Sequence, residues 1–341
     1  MANDIDMSRK RPRIVVESNI PFIRGVMEPW ADVSYLQPAE ITSDMMAQAD
    51  ALVTRTRVRC DRHLLSGSPC SIIASATIGI DHVDIPWCEA HGIEVRNAPG
   101  CNAPAVAQYV LASALRCRDP KSMVLGIVGV GNVGRIVERW ATALGIKVLL
   151  CDPPRARREG SDGFVDLATI AEQADVITFH TPYTTSGPDA THHLCSREFL
   201  AQTKHCPLII NAARGGVVDT DALIEAIDTG TVEAPVIDCW EGEPEISHEL
   251  LKRAYVATPH IAGYSFEGKA RATQMAVDAV CRHFGMPVPE IDPHVADAPA
   301  TVTARQILDG YDPLIDTTAL RGAPAAFEQL RTAYSLRREP Q

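Results

Sequence analysis

Val124-Leu125-Gly126-Ile127-Val128-Gly129-Val130-Gly131-Asn132-Val133-Gly134 joins an apolar run to a glycine-rich loop. Val124 to Val128 is apolar throughout, too short for a helix, and reads as a buried strand. Gly129, Gly131 and Gly134 then form Gly-x-Gly-x-x-Gly, and Asn132 to Leu144 continues as a helix. The following strand, Lys147 to Cys151, ends at Asp152, close to the distance of about 20 residues at which a dinucleotide-binding unit places its ribose acid. In such a unit Gly129 makes the tight turn, Gly131 lets backbone approach a pyrophosphate, and Gly134 lets the helix pack on the strand. The helix N-terminus offers amide donors and the positive end of a dipole to the phosphates. Asp152 would accept the ribose hydroxyls and repel a 2′-phosphate, so NAD is expected over NADP. Arg155 is the nearby cation that argues the other way. The bland alternative is a glycine turn in an unliganded βαβ unit.

Working outward, Asp175 to Phe179, Pro207 to Asn211, Val232 to Ile237 and Ala254 to Ala257 read as further strands of the same sheet. Strands alternating with helices imply a parallel sheet covered on both faces. Upstream, Arg13 to Glu17, Ala51 to Val53, Ser71 to Ala74 and Ile93 to Val95 form another series, with helical segments at Ser43 to Ala49 and Asp61 to Ser66 and no glycine loop. Ala103 to Arg116 reads as a buried helix that crosses between domains, and amphipathic Glu267 to Phe284 as one that returns to the first. Met286-Pro287-Val288-Pro289-Glu290 reads as a linker, and the polar remainder ends in a helix-like Pro324 to Arg338. The expected fold is α/β, two Rossmann-like doubly wound parallel-sheet domains followed by a short C-terminal module. A substrate-binding lid covers 13–97 and 267–285, an NAD-binding domain 98–266, and the module 286–341.

The bulk composition narrows the function classes. A chain of 341 residues exceeds one ordinary core, and 46% hydrophobic with 22% charged residues is a globular balance. A net charge of −11 argues against a broad nucleic-acid or anionic-membrane surface, though not against a local basic pocket. The ten cysteines are scattered, with no Cys-x-x-Cys pair, and read as reduced thiols of a cytoplasmic protein rather than a disulfide framework or a metal site. The polar N-terminus, ending in Arg9-Lys10-Arg11-Pro12-Arg13, has no apolar core of a secretory signal and reads as a solvated arm. No apolar stretch is long enough to cross a bilayer.

Chemistry enters with three charged residues, each closely following a strand-like run of the second series. They are Arg214 in Asn211-Ala212-Ala213-Arg214-Gly215-Gly216, Glu243 in Asp238-Cys239-Trp240-Glu241-Gly242-Glu243, and His260 in Thr258-Pro259-His260-Ile261-Ala262-Gly263. Residues past the carboxyl ends of parallel strands line the ligand crevice. A guanidinium fork binds a carboxylate, an imidazole takes a hydroxyl proton near neutral pH, and a carboxylate fixes the imidazole tautomer. That set suits a dehydrogenase of 2-hydroxy acids. Singly, Arg214 could cap a helix, His260 could be structural and Glu243 an exposed loop acid; their joint placement favours the site.

These blocks resemble the D-isomer-specific 2-hydroxyacid dehydrogenases, which carry this Arg, Glu and His in this order. Ala76-Thr77-Ile78-Gly79-Ile80-Asp81-His82-Val83-Asp84, Ala98-Pro99-Gly100-Cys101-Asn102-Ala103 and Thr258-Pro259-His260-Ile261-Ala262-Gly263-Tyr264 resemble a branch acting on a phosphorylated four-carbon 2-hydroxy acid on the route to pyridoxal phosphate. The likeness runs from the Arg13 strand to Glu339. It implies Arg214, Glu243 and His260 as catalytic, with His260 moving the proton, and Thr56, Thr77 and Tyr264 as substrate contacts. It also implies Asp152, Thr181, Asp238 and Gly263 as NAD contacts, beside the backbone at Asn132 and Val133 and at Ala212, Ala213 and Arg214. A homodimer paired through the C-terminal module is implied too, with no metal, nucleic-acid or membrane partner. Blander readings make Thr56 and Thr77 turn residues and Tyr264 a packed aromatic. Two departures stand out: Arg116 to Ser122 is a short connection, so a tighter hinge is expected, and the module is shortened. Alternatives are a relative acting on glycerate, phosphoglycerate or lactate, and an NAD-sensing scaffold.

A substrate phosphate needs its own cation. Arg55 and Arg57 flank Thr56 just after the Ala51 strand. An extended segment would put both arginines on one side, whereas a turn could converge them. A solvated surface pair is the alternative.

Overall fold

The computed structural model describes residues 11–292, 295 and 297–341; Arg9 and Lys10 of the basic run lie outside them. Contacts divide the chain into two units, Met1–Cys101 with Glu267–Ala296, and Asn102–Phe266 with Asp297–Gln341.

The first unit holds β1 (Arg13–Glu17), β2 (Asp32–Leu36), β3 (Ala51–Thr54), β4 (Ile72–Ser75) and β5 (Glu94–Arg96), parallel and ordered β2-β1-β3-β4-β5. Strand side chains alternate between two faces. Ile14, Val16, Val53 and Ile72 pack with Val277 and Val280 of helix Phe266–Phe284 on one face. Val15, Leu52 and Ile73 pack with Leu64, Leu65 and Cys88 on the other. Burial on both faces is why these strands read as continuous apolar runs. Strand β2 corrects the sequence reading, which has no strand there. It pairs only β1 at the sheet edge and is nowhere fully buried, so its Asp-Val-Ser-Tyr-Leu gives no apolar run.

The strand order reverses between β1 and β3, the position at which open α/β sheets gather ligands beyond the strand ends. Buried Glu17 closes β1 there, and its Oε2 accepts Thr54 Oγ1 at 3.1 Å and the Arg55 amide at 2.7 Å.

The second unit holds β6 (Val124–Val128), β7 (Lys147–Cys151), β8 (Val176–Phe179), β9 (Leu208–Asn211), β10 (Val236–Ile237) and β11 (Val256–Ala257). All are parallel, ordered β11-β10-β9-β8-β6-β7, with the reversal between β6 and β8. Leu125, Ile127, Ile210 and Val236 face Tyr109 of helix Ala103–Cys117 and Trp140 of helix Asn132–Ala143. Phe179, Ile209 and Ile237 face Ile170, Leu223 and Leu250.

Three C-terminal helices, Ala304–Gly310, Pro313–Gly322 and Phe327–Thr332, belong to this unit. Ile307 and Tyr311 join the Tyr109 face, and Leu320 and Phe327 join the opposite one. The structure corrects the reading of this region as polar chain with one helix over Pro324 to Arg338. The helix spans Phe327–Thr332 after a 3-10 turn at Pro324–Ala326, and Arg337 pairs as an isolated bridge with Ser265. The two missed helices are short, so periodicity is weak, but their caps are sequence signals. Thr303 forms a capping box with Gln306, and Asp312 accepts the Leu314 amide ahead of Pro313.

Candidate active site

The glycine loop sits at the reversal between β6 and β8. Gly129 has φ +88°, and a Cβ there would stand 2.8 Å from the His180 carbonyl carbon. A Cβ on Gly134 would stand 2.2 Å from the Gly129 oxygen, so helix Asn132–Ala143 can pack this closely only through glycine. At Gly131 a Cβ would meet nothing within 4 Å, which leaves backbone open to a ligand. Gly131 also caps that helix without a side chain, so the first amides keep their donor capacity. Close by, Thr181 Oγ1 and His180 Nδ1 are buried with no hydrogen-bond partner among the described residues. Burial pushes the His180 pKa down to about 3, so its ring stays neutral.

Asp152 ends β7 and turns into the next helix. Its Oδ2 accepts the Val130 amide at 2.8 Å and its Oδ1 the Arg155 amide at 2.9 Å, which fixes the carboxylate beside the glycine loop. The Arg155 guanidinium is tied to Glu159 Oε2 at 2.7 Å and the Val130 carbonyl at 3.2 Å. The cation that could have welcomed a 2′-phosphate is therefore already engaged. An open glycine, an uncapped helix start, an orphaned hydroxyl and a fixed carboxylate fit NAD.

Past β9, Asn211 Nδ2 donates to the carbonyls of Arg214 at 3.0 Å and Cys239 at 3.1 Å, joining two loops. The Arg214 guanidinium reaches only the Ala213 carbonyl, at 2.9 Å, and has no carboxylate partner among the described residues. An unpaired, half-buried guanidinium is a ready receptor for a carboxylate. Gly215 locks this loop in place, since a Cβ there would lie 1.9 Å from the Trp240 oxygen.

Past β10 and β11, His260 Nδ1 and Glu243 Oε2 lie 2.8 Å apart. Glu243 Oε1 accepts the Trp240 amide at 2.7 Å, and buried Trp240 donates its Nε1 to the Thr258 carbonyl at 2.9 Å. Burial pushes the Glu243 pKa up, but the hydrogen bond and charge of His260, the Trp240 amide and Arg331 together hold it below its ordinary value. It is thus a carboxylate at neutral pH and holds the Nδ1 proton of His260. His260 Nε2 has no hydrogen-bond partner among the described residues, which leaves it able to exchange a proton with a ligand. The backbone of His260 is left-handed, φ +56°, a strained conformation for a residue with a Cβ.

Sequence reasoning assigns Asp238 to the cofactor. Its buried carboxylate is taken up by the protein, accepting Thr258 Oγ1 at 2.6 Å, the Ile261 amide at 2.7 Å and the Ala262 amide at 3.0 Å. Its visible work is to hold the loop after His260. Gly263 is packed against Asn102, whose Nδ2 would lie 2.0 Å from a Cβ there. Cys239 Sγ, a Glu243 oxygen and a His260 nitrogen lie within 4.8 Å of one another. Burial pushes the Cys239 thiol well up, and it donates to the Ala213 carbonyl at 3.4 Å, so it acts as a protonated strut between loops.

Tyr264 stacks edge-on to Tyr334, 6.2 Å between centroids, and its side chain hydrogen bonds Arg331. Arg331 and Arg337 were missed in the sequence because charged residues in a polar tail read as solvated. In the first unit, exposed Thr56 lies in a bend over Thr56–Val58, not in extended chain. The neighbouring Arg55 Nε is buried without a hydrogen-bond partner among the described residues. Thr77 Oγ1 lies 2.7 Å from Ser75 Oγ and donates to the Gly79 carbonyl at 3.1 Å.

Residues 96–262 match the family model "D-isomer specific 2-hydroxyacid dehydrogenase, NAD binding domain". The erythronate-4-phosphate dehydrogenase of Bacteroides thetaiotaomicron is 44% identical over 337 residues, covering 96% of this chain and 97% of that protein. The enzyme of the same name from Escherichia coli is 40% identical over 347 residues, covering 96% and 92%. Among solved structures, the D-lactate dehydrogenase of Aquifex aeolicus in complex with NAD and lactic acid matches with a TM-score of 0.67 at 24% identity, covering 80% of this chain and 96% of that one. A 2-hydroxyacid dehydrogenase of Ketogulonicigenium vulgare matches with a TM-score of 0.70 at 20% identity, covering 83% and 98%. The structural matches establish a shared fold.

Proposed function

The chain belongs to the erythronate-4-phosphate dehydrogenases, within the D-isomer-specific 2-hydroxyacid dehydrogenase family, and from that premise we infer that it oxidises 4-phospho-D-erythronate with NAD. The product is (R)-3-hydroxy-2-oxo-4-phosphonooxybutanoate, a step toward pyridoxal 5′-phosphate. The observation that carries the chemistry is a base held at one nitrogen, His260 on Glu243, alongside the guanidinium of Arg214; among the described residues the other His260 nitrogen has no hydrogen-bond partner and Arg214 no acid partner.

We propose the following roles. Arg214 grips the substrate carboxylate in its fork and so fixes the orientation of C2. His260 Nε2 accepts the C2 hydroxyl proton as the carbonyl forms. Glu243, a carboxylate through the reaction, keeps the Nδ1 proton in place and stabilises the imidazolium. NAD, when bound, supplies the acceptor for the hydride leaving C2. Gly129, Gly131, Asn132, Val133 and Gly134 would cradle its pyrophosphate, Asp152 its ribose and Thr181 a polar edge, with Ala212, Ala213, Asp238 and Gly263 at the rim. Thr56, Thr77 and Tyr264 are the proposed substrate contacts.

Cofactor choice tests the Asp152 role. Asp152→Ala should weaken NAD binding and narrow the preference over NADP, since an anion facing a 2′-phosphate is repulsive. Equal kcat/KM of the unaltered enzyme with NAD and NADP would remove that role.

For the substrate phosphate we propose Arg55 and Arg57. Arg55 follows β3, beside the reversal of the first sheet, and its buried Nε lacks a hydrogen-bond partner among the described residues while the chain bends at Thr56–Val58. Arg55→Ala or Arg57→Ala should raise KM for 4-phosphoerythronate by about tenfold or more, the scale of a lost charge-assisted hydrogen bond, and leave KM for erythronate nearly unchanged. Equal effects on both substrates would place the phosphate elsewhere.

We also propose a cytoplasmic homodimer. None of the cysteines forms a disulfide among the described residues, in keeping with a reducing compartment, and no helix among those residues is long and apolar enough to cross a membrane. The C-terminal helices carry an apolar groove lined by Tyr311, Ile315, Ala319, Ala323 and Leu330, with Ile315 70% exposed. Light scattering reads the mass directly, and a monomer at working concentrations would contradict the pairing.

A further inference from the structure

The loop His260-Ile261-Ala262-Gly263-Tyr264 is gripped from two sides by opposite charges. Its amides at Ile261 and Ala262 donate to the buried Asp238 carboxylate at 2.7 and 3.0 Å. Its carbonyls accept from Arg337, which gives Nη1 to Ile261 at 3.1 Å and to Tyr264 at 3.0 Å, and Nη2 to Ala262. The loop's peptide dipoles thus lie between an anion on their N–H side and a cation on their C=O side.

Arg337 is 9% exposed and makes no ion pair among the described residues. Nη2 also donates to the Ala105 carbonyl at 3.0 Å and Nε to Gln108 Oε1 at 3.2 Å, both on helix Ala103–Cys117, while Nη1 shares a donor with Tyr334 Oη at 3.4 Å. The guanidinium lies 4.2 Å from the Tyr311 ring centroid. A buried cation satisfied by carbonyls and a ring is costly to desolvate, and apolar packing could fill the same volume. What an apolar residue could not do is order three carbonyls of one loop at once.

The segment that delivers Arg337 is itself fastened to the loop. Arg337 bridges Ser265, its carbonyl accepts the Phe266 amide at 2.9 Å, and buried Ser265 Oγ donates to buried Glu339 Oε1 at 2.6 Å. The loop so held begins with His260, whose left-handed backbone persists only if its surroundings over-determine it.

We propose that Arg337 is a positioning residue for the reaction, holding the His260–Tyr264 loop so that His260 keeps the backbone conformation in which its ring meets Glu243. The C-terminal segment is then part of the catalytic scaffold. This rests on the reading of His260 as the base, and the test separates the two.

Full-length Arg337→Met and Arg337→Lys are compared with the unaltered enzyme and with His260→Ala, measuring kcat, KM, NADH dissociation constant and thermal melting. Arg337→Met should lower kcat about 10- to 100-fold, the scale on which a displacement of roughly 1 Å acts on a reacting group. NADH affinity should stay within about threefold, because the glycine loop, Asp152 and Thr181 are untouched and Gly263, the proposed rim contact in the held loop, is also fixed by its packing on Asn102. Arg337→Lys, which keeps the charge and three donors, should recover part of kcat, a rescue that a packing role would not give. A folded Arg337→Met with kcat within about twofold of the unaltered enzyme overturns the proposal. So does a loss of kcat matched by an equal loss of NADH binding. If Arg337→Met does not fold, Arg337→Lys is judged alone: a fall in kcat at constant NADH affinity supports the clamp, and unchanged kcat or a parallel loss of both overturns it. A fully active His260→Ala would overturn the underlying assignment of the base, and the clamp with it.

Discussion

His260→Ala should lower kcat by about 10²- to 10⁴-fold while NADH binds nearly as it does to the unaltered enzyme. The magnitude is that of a positioned general base. The selectivity follows from geometry. His260 takes no part in the glycine loop, in Asp152 or in the unpartnered Thr181, whereas its Nδ1 is committed to Glu243 at 2.8 Å and its Nε2 is left for the reacting proton. The imidazole is 27% exposed, so alanine opens space to water rather than a large void in a core. The loop itself stays anchored, because Asp238 and Arg337 hold its backbone and not its ring. Turnover within about threefold of the unaltered enzyme would exclude His260 as the base.

Arg214→Gln should lower kcat/KM by about 10²-fold or more, and Arg214→Lys should fall between the two extremes. Hydrogen bonds to a charged group are worth roughly 1.5–3 kcal/mol each, and a fork loses two. Lysine keeps the charge as a mobile point and so cannot fix the plane of a carboxylate. The effect should exceed that of removing an ordinary surface arginine because Arg214 has no acid partner to lose among the described residues; its charge is held for a ligand. The backbone that presents it is fixed independently by Asn211 and by Gly215 against Trp240, so the substitution should leave melting almost unchanged. Kinetics of Arg214→Lys matching those of the unaltered enzyme would take Arg214 out of the carboxylate role.

Much of this arrangement was legible because it rests on local rules. The glycine loop needs close backbone approaches that no other residue permits, and strands buried on both faces announce themselves as apolar runs. Arg214, Glu243 and His260 each stand just past such a run, so parallel topology alone carries them to one edge of one sheet. Strand β2 was not legible, since an edge strand with one partner alternates weakly and resembles loop. The first two C-terminal helices announced themselves only through their caps, Thr303 with Gln306 and Asp312 with Pro313. Residues that act on the catalytic ones through tertiary contact left the faintest trace. Trp240, Cys239, Arg331 and Arg337 gain their meaning from loops distant in sequence, and nothing in a polar tail marks one arginine as buried. Asp238 carries a second role that the sequence does not show: beside the cofactor contact that the resemblance implies, its carboxylate orders the loop after His260.

The enzyme's reaction is removal of hydride from C2 of a phosphorylated four-carbon acid. It is tested most directly by mixing purified protein with NAD and 4-phospho-D-erythronate and following NADH absorbance, with and without an added 2-oxo acid. NADH should form, or the 2-oxo acid be consumed where NADH is held tightly, together with the 2-oxo product, at a kcat/KM well above that for erythronate or D-glycerate. No product from 4-phosphoerythronate under conditions where an unphosphorylated 2-hydroxy acid is turned over would contradict it.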